Sequence, residues 1–100
     1  MKKSVNNTNV EIKLARLYYS CNMLDEAIIW MKKSIEGGNM WARLELIDLL
    51  RNSNNISLIK ESYDAAQEIA SNRNDPHQEE AIKRIGFIHS QLMELEQSDS

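Results

Sequence analysis

This 100-residue chain holds a single cysteine, a single proline and three glycines. With only Cys21, no intrachain disulfide can form, which suits a reducing compartment. The glycines are Gly37, Gly38 and Gly86, a spacing that excludes a glycine-rich phosphate loop. No apolar run approaches the ~18 residues that span a bilayer, so no membrane span is expected. Charge of one sign is lacking too. Twelve basic and fifteen acidic residues are interspersed, giving a net −3. A generic phosphate-backbone binder needs a positive footprint, so nucleic acid is not an expected partner. Met1-Lys2-Lys3 opens like a signal peptide, but Ser4 to Asn9 are polar and supply no apolar h-region. Residues 1–8 are therefore expected to be a disordered tail, residues 97–100 a frayed C-terminus, and the location cytoplasmic.

What the chain does have is helical periodicity in ordinary globular composition. Hydrophobic residues make up 42% and charged residues 27%, which suits one folded domain over 9–96. No period-two alternation is long enough for a strand, so the fold class is all-α. Five helices are expected. The first runs from about Asn9, as N-cap, to Cys21, with Ile12, Leu14, Ala15, Leu17 and Tyr18 as its apolar stripe. The second runs from about Asp25 to Glu36, acidic at its start and basic at its end, as the helix dipole favours. Gly37-Gly38 stops it. Asn39 caps the third, about Met40 to Asn52, and Ser57 caps the fourth, about Leu58 to Ser71. Asp75-Pro76 opens the fifth, which runs to about Leu95.

The helices come in internally similar pairs. At an offset of 32 residues, Leu14 aligns with Leu46, Ala15 with Ile47, Leu17 with Leu49 and Tyr18 with Leu50. Met31 aligns with Tyr63 and Ser34 with Ala66. A third, partial copy lies 39 further on, with Ala42 against Ala81, Leu46 against Ile85, Ile47 against Gly86 and Leu49 against Ile88. The seven extra residues fall around Ser71 to Gln78, the most loop-like interior stretch. Small residues (Ala15, Ala27, Ala42, Ala66 and Gly86) are expected to let helices approach closely.

Leu14-Ala15-x-Leu17-Tyr18, then Asp25-Glu26-Ala27-x-x-Trp30-Met31-x-Lys33-Ser34, then Glu36-Gly37-Gly38-Asn39-Met40-Trp41-Ala42 resemble the tetratricopeptide superfamily, and within it the Sel-one-like repeats. The first copy carries the resemblance best. The second departs from it at Ile47 and Ser62, and the third has His89 where the pattern has Tyr, so plain tetratricopeptide and Sel-one-like repeats both remain open. The resemblance implies a short right-handed superhelix of two and a half antiparallel hairpins. It also implies a concave face built from the first helix of each.

That face would take Ile12, Arg16, Tyr19 and Ser20 from helix one. Helix three would add Trp41, Leu44, Asp48, Arg51 and Asn52, and helix five Lys83, Phe87, Ser90 and Gln91. Tyr, Trp and Arg dominate binding hot spots. Arg16, Tyr19, Trp41, Asp48, Arg51 and Phe87 are the expected partner-binding set, suited to a peptide with acidic and apolar side chains. The competing reading puts Trp41 and Phe87 in the core. Trp30 is expected to be core packing, and Cys21 a small buried hydrophobe.

Catalysis is not expected. Cys21 and His89 lack an orienting third group and an oxyanion site. Asp75, His77, Glu79 and Glu80 match no closed metal set and suit a helix N-terminus, and no cofactor is implied. The expected function is a non-catalytic protein–protein interaction module, an adaptor or scaffold. The alternatives are an accessory or oligomerisation domain of a larger bacterial envelope or polysaccharide enzyme, and a homodimer through the open end of the array. An apolar end would then involve Tyr63, Ile69, Ile82 and Ile88.

Overall fold

A computed structural model describes residues 5–98, with side chains for residues 10–97. Those residues form five α-helices and no strand: α1 (Val5–Ser20), α2 (Leu24–Glu36), α3 (Ala42–Arg51), α4 (Ile56–Ala70) and α5 (Gln78–Ser98). The all-α class and the helix number follow the periodicity. Several helix ends do not.

Helix α1 starts at Val5, so Asn9 lies inside it rather than at its N-cap. Residues 5–8 of the expected tail are thus helical, and residues 1–4 lie outside the described residues. At the other end α5 continues through Gln97 to Ser98. Asn55, not Ser57, caps α4. Its side-chain oxygen accepts from the amides of Ser57 at 2.9 Å and Leu58 at 3.3 Å, satisfying two donors the helix cannot. Helix α3 starts at Ala42, so Asn39 lies three residues before it, and from there its side-chain oxygen accepts from the Ala42 amide at 3.2 Å. Trp41 stays in the preceding turn.

The stops have clear causes. After α1, Asn22 adopts φ 62°. Its amide donates to the Tyr19 carbonyl and the Met23 amide to the Tyr18 carbonyl. This pair of bonds is a Schellman stop with asparagine in the left-handed position. After α2 the same pattern recurs with Gly38 at φ 105°: Gly38 donates to Ile35 and Asn39 to Ser34.

The chain divides into two compact units, Met1–Leu49 and Leu50–Ser100, and the division falls inside α3. In the first, α1 packs on α2, joined by three residues, and Ile12, Ala15, Ala27 and Met31 are buried. In the second, α4 packs on α5, and Ile59, Ala66, Ile69, Ala81 and Ile88 are buried. Helix α3 has the largest share of buried residues. Ala42, Leu44, Leu46, Ile47, Leu49 and Leu50 are all buried. At 3.6 residues per turn they cover about 220° of its circumference.

Two packing expectations fail. Leu17 is 58% exposed and does not belong to the α1 core. Gly86 lies in open space: a Cβ there would meet nothing within 4 Å, so its smallness serves no close approach. Ala15, Ala27, Ala42 and Ala66 are fully buried, as small contact residues must be.

Candidate functional site

The expected binding residues divide between the two units. In the first, Arg16 and Tyr19 lie on α1, Trp41 just before α3 and Asp48 on α3. Tyr19 is 40% exposed and Trp41 44%, so neither is a core residue. The turn that presents Trp41 is held by its own carbonyl, which accepts from the Leu44 amide at 3.0 Å. Ile12 and Leu44, which helical phase places on the same face, are buried and leave the candidate surface.

Arg16 is already engaged. Its Nε donates to Glu45 Oε1 at 2.9 Å and its Nη2 to Oε2, a two-pronged contact between α1 and α3. Hydrogen bonding to the Glu45 carboxylate, helped by its charge, raises the guanidinium pKa above its ordinary value against a smaller opposing effect of burial. A peptide carboxylate would have to compete with Glu45 for this fork. Asp48 is half-buried.

In the second unit, Phe87 on α5 is 60% exposed, the most exposed large hydrophobic side chain among the described residues. The Arg51 guanidinium carbon lies 5.6 Å from its ring centre, a cation–π arrangement. Gln91, one turn further along α5, donates from Nε2 to the Arg51 carbonyl at 2.9 Å. That bond satisfies a carbonyl at the end of α3 and fixes the backbone from which Arg51 projects. The surface here is one aromatic ring with a cation over it.

Other singled-out residues fall differently from expectation. Cys21 is exposed, because the turn after α1 carries it outward. Trp30 is half-buried, with Lys33 Nζ 5.0 Å from its ring centre. Its apolar body packs while a cation covers the open face. Of the residues expected to form an apolar end, Ile69 and Ile88 are buried, Tyr63 is half-buried and Ile82 is exposed. His89 is exposed, its ring 6.5 Å from that of Tyr63.

Before α5, the Asp75 carboxylate accepts from the His77 amide at 2.9 Å, closing a turn. Among the described residues no group of three His, Cys, Asp or Glu side chains is placed to hold a metal ion. No helix among them is long and apolar enough to cross a membrane.

Residue-type reasoning missed an exposed apolar strip on α1. Val10 and Leu17 lie seven residues apart on one face, with the half-buried Leu14 between them. The signal was in the sequence, since apolar residues cover more of α1 than one packed face uses. No family model matches the chain, and no curated protein or solved structure matches it.

Proposed function

We propose that this chain is a non-catalytic protein–protein interaction module, a short tetratricopeptide-like or Sel-one-like array that binds a peptide or protein segment. The right-handed superhelix of such arrays is part of the proposal, and Arg16, Tyr19, Trp41, Asp48, Arg51 and Phe87 are its binding residues. The observation that carries it is the exposure of Trp41 and Phe87. Large aromatic side chains left in water, one of them with an arginine over its ring, have the composition of a binding hot spot. The partner would carry apolar side chains for the rings and carboxylates for Arg51.

Selection from a displayed peptide library, with Trp41→Ala and Phe87→Ala proteins as counter-selection, tests this. Enriched peptides should combine acidic and apolar residues. Each variant should weaken their binding tenfold or more, about 1.4 kcal/mol. Equal binding by wild type and both variants would defeat the proposal.

The Val10–Leu17 strip favours a second reading, an accessory or oligomerisation domain that buries this strip against another polypeptide. Leu17→Ser would then abolish assembly and leave peptide selection untouched.

A further inference from the structure

Helices α4 and α5 leave a groove of about 770 Å³ on the surface of the second unit. Ala65 of α4 and Ile85 of α5 give it an apolar floor, and Glu61, Asp64 and Glu68 of α4 line it. Residues 61, 64, 65 and 68 recur at i, i+3, i+4 and i+7, so three carboxylates and the floor alanine share one helix face. Ile82 is 52% exposed and precedes Ile85 by three residues, which extends the apolar surface along α5. The unit as a whole is acidic: residues 50–100 carry nine acidic and five basic side chains, whereas residues 1–49 carry six and seven.

We infer that this groove docks a basic amphipathic helix supplied by a partner protein. A channel between two packed helices accepts the side-chain ridge of a third. The apolar floor takes the apolar stripe of that helix, and the carboxylates of Asp64 and Glu68 face lysines or arginines flanking the stripe. Charge complementarity selects this occupant. An acidic or neutral helix would satisfy the floor and be repelled or ignored by the rim. This surface differs in residues and in sign from the aromatic surfaces proposed above, so either can fail alone.

The probe is a labelled synthetic peptide of leucine and lysine, 15 residues long to match α4, with leucines at helical spacing. Binding to the full chain is followed by fluorescence anisotropy at about 0.15 M salt, where long-range attraction is largely screened. Asp64→Lys with Glu68→Lys should weaken binding tenfold or more, whereas Glu36→Lys in the first unit should change it less than twofold. A scrambled peptide of the same composition and a leucine–glutamate peptide should both bind at least tenfold more weakly. On unaltered protein, the amide NMR shifts that move should be those of 61–71 and 82–89, a readout that does not depend on the variants folding. The inference is overturned if Glu36→Lys weakens binding equally, if the scrambled peptide binds as well, if the shifts lie elsewhere, or if the groove instead pairs with a second copy of the chain.

Discussion

Asn22, Asn39 and Asn55 stand at or near three helix ends, and they meet two different needs. Asn22 takes the left-handed conformation that ends α1, a conformation asparagine tolerates better than most residues. Asn39 and Asn55 offer side-chain oxygens to the first amides of α3 and α4. Asn55→Ala should therefore destabilise the protein by about 1 kcal/mol. Ser57→Ala, at a position already inside the helix and exposed, should cost under about 0.5 kcal/mol. Urea denaturation of the two variants checks this, and a larger loss from Ser57→Ala would restore Ser57 as the cap. Residue types alone could not separate them, because Ser53, Asn54, Asn55 and Ser57 all suit a cap. The phase of the buried set Ile59, Ser62, Ala66 and Ile69 specifies which face of α4 is covered, but it says nothing of where the first turn begins. The stop after α2 was legible because Gly37-Gly38 disfavours continued helix and accepts at low cost the left-handed conformation that Gly38 adopts.

At the scale of the element, α1 and α3 show what periodicity conveys and what it omits. Both carry the same apolar spacing, yet Leu17 is exposed and its counterpart Leu49 is buried. Spacing fixes direction around a helix, whereas burial depends on what packs there. Gly86 teaches the same point within α5. It aligns with the buried Ile47, which suggested a close contact, but nothing approaches it. An exposed glycine inside a 21-residue helix only loosens it. Gly86→Ala should raise stability by about 0.5–1 kcal/mol and the melting midpoint by several degrees, read by thermal circular dichroism. A fall in the midpoint would mean that a neighbour fills this space in solution.

The start of α5 also sets a pH response. Arg84 Nη1 donates to Glu80 Oε1 at 3.1 Å, and Lys83 Nζ lies 3.7 Å from Glu80 Oε2. The Arg84 hydrogen bond first, and the Lys83 charge second, lower the Glu80 pKa below its ordinary 4.5. A lowered folded-state value means that the pairing is in full effect above that ordinary value and is lost as pH falls through the folded one. NMR titration of the Glu80 carboxyl should give a midpoint below 4.5, and Arg84→Gln should move it upward. An unmoved midpoint would show that Arg84 does not hold the carboxylate in solution.

For the whole molecule, the internal similarity has a partial counterpart in burial. At the 32-residue offset, Ala15 and Ile47 are both buried, as are Ile12 and Leu44, Ala27 and Ile59, and Ser34 and Ala66. At the 39-residue offset, Ala42 matches Ala81 and Leu49 matches Ile88, while Ile47 and Gly86 part. This recurrence supports the repeat proposal, and it weakens toward α5, where the sequence pattern also drifts. The candidate site was legible only as a list of residue types. Helical phase put Ile12 and Leu44 beside Tyr19 and Trp41, but burial removed the first two and left the aromatics in water. The same exposure decides how the molecule behaves alone. Trp41 is 44% exposed, so truncating it removes only part of a buried surface. Light scattering across a concentration series should give the 11.6 kDa mass of one chain for wild type and for Trp41→Ala. Both should keep helical circular dichroism, with melting midpoints within a few degrees. That result leaves Trp41 available to a partner. A wild-type dimer that Trp41→Ala dissociates would place a second copy on this surface, and unfolding of the variant would place the ring in the core. Either outcome would remove Trp41 from the peptide-binding proposal and leave Phe87 with Arg51 as its remaining aromatic contact.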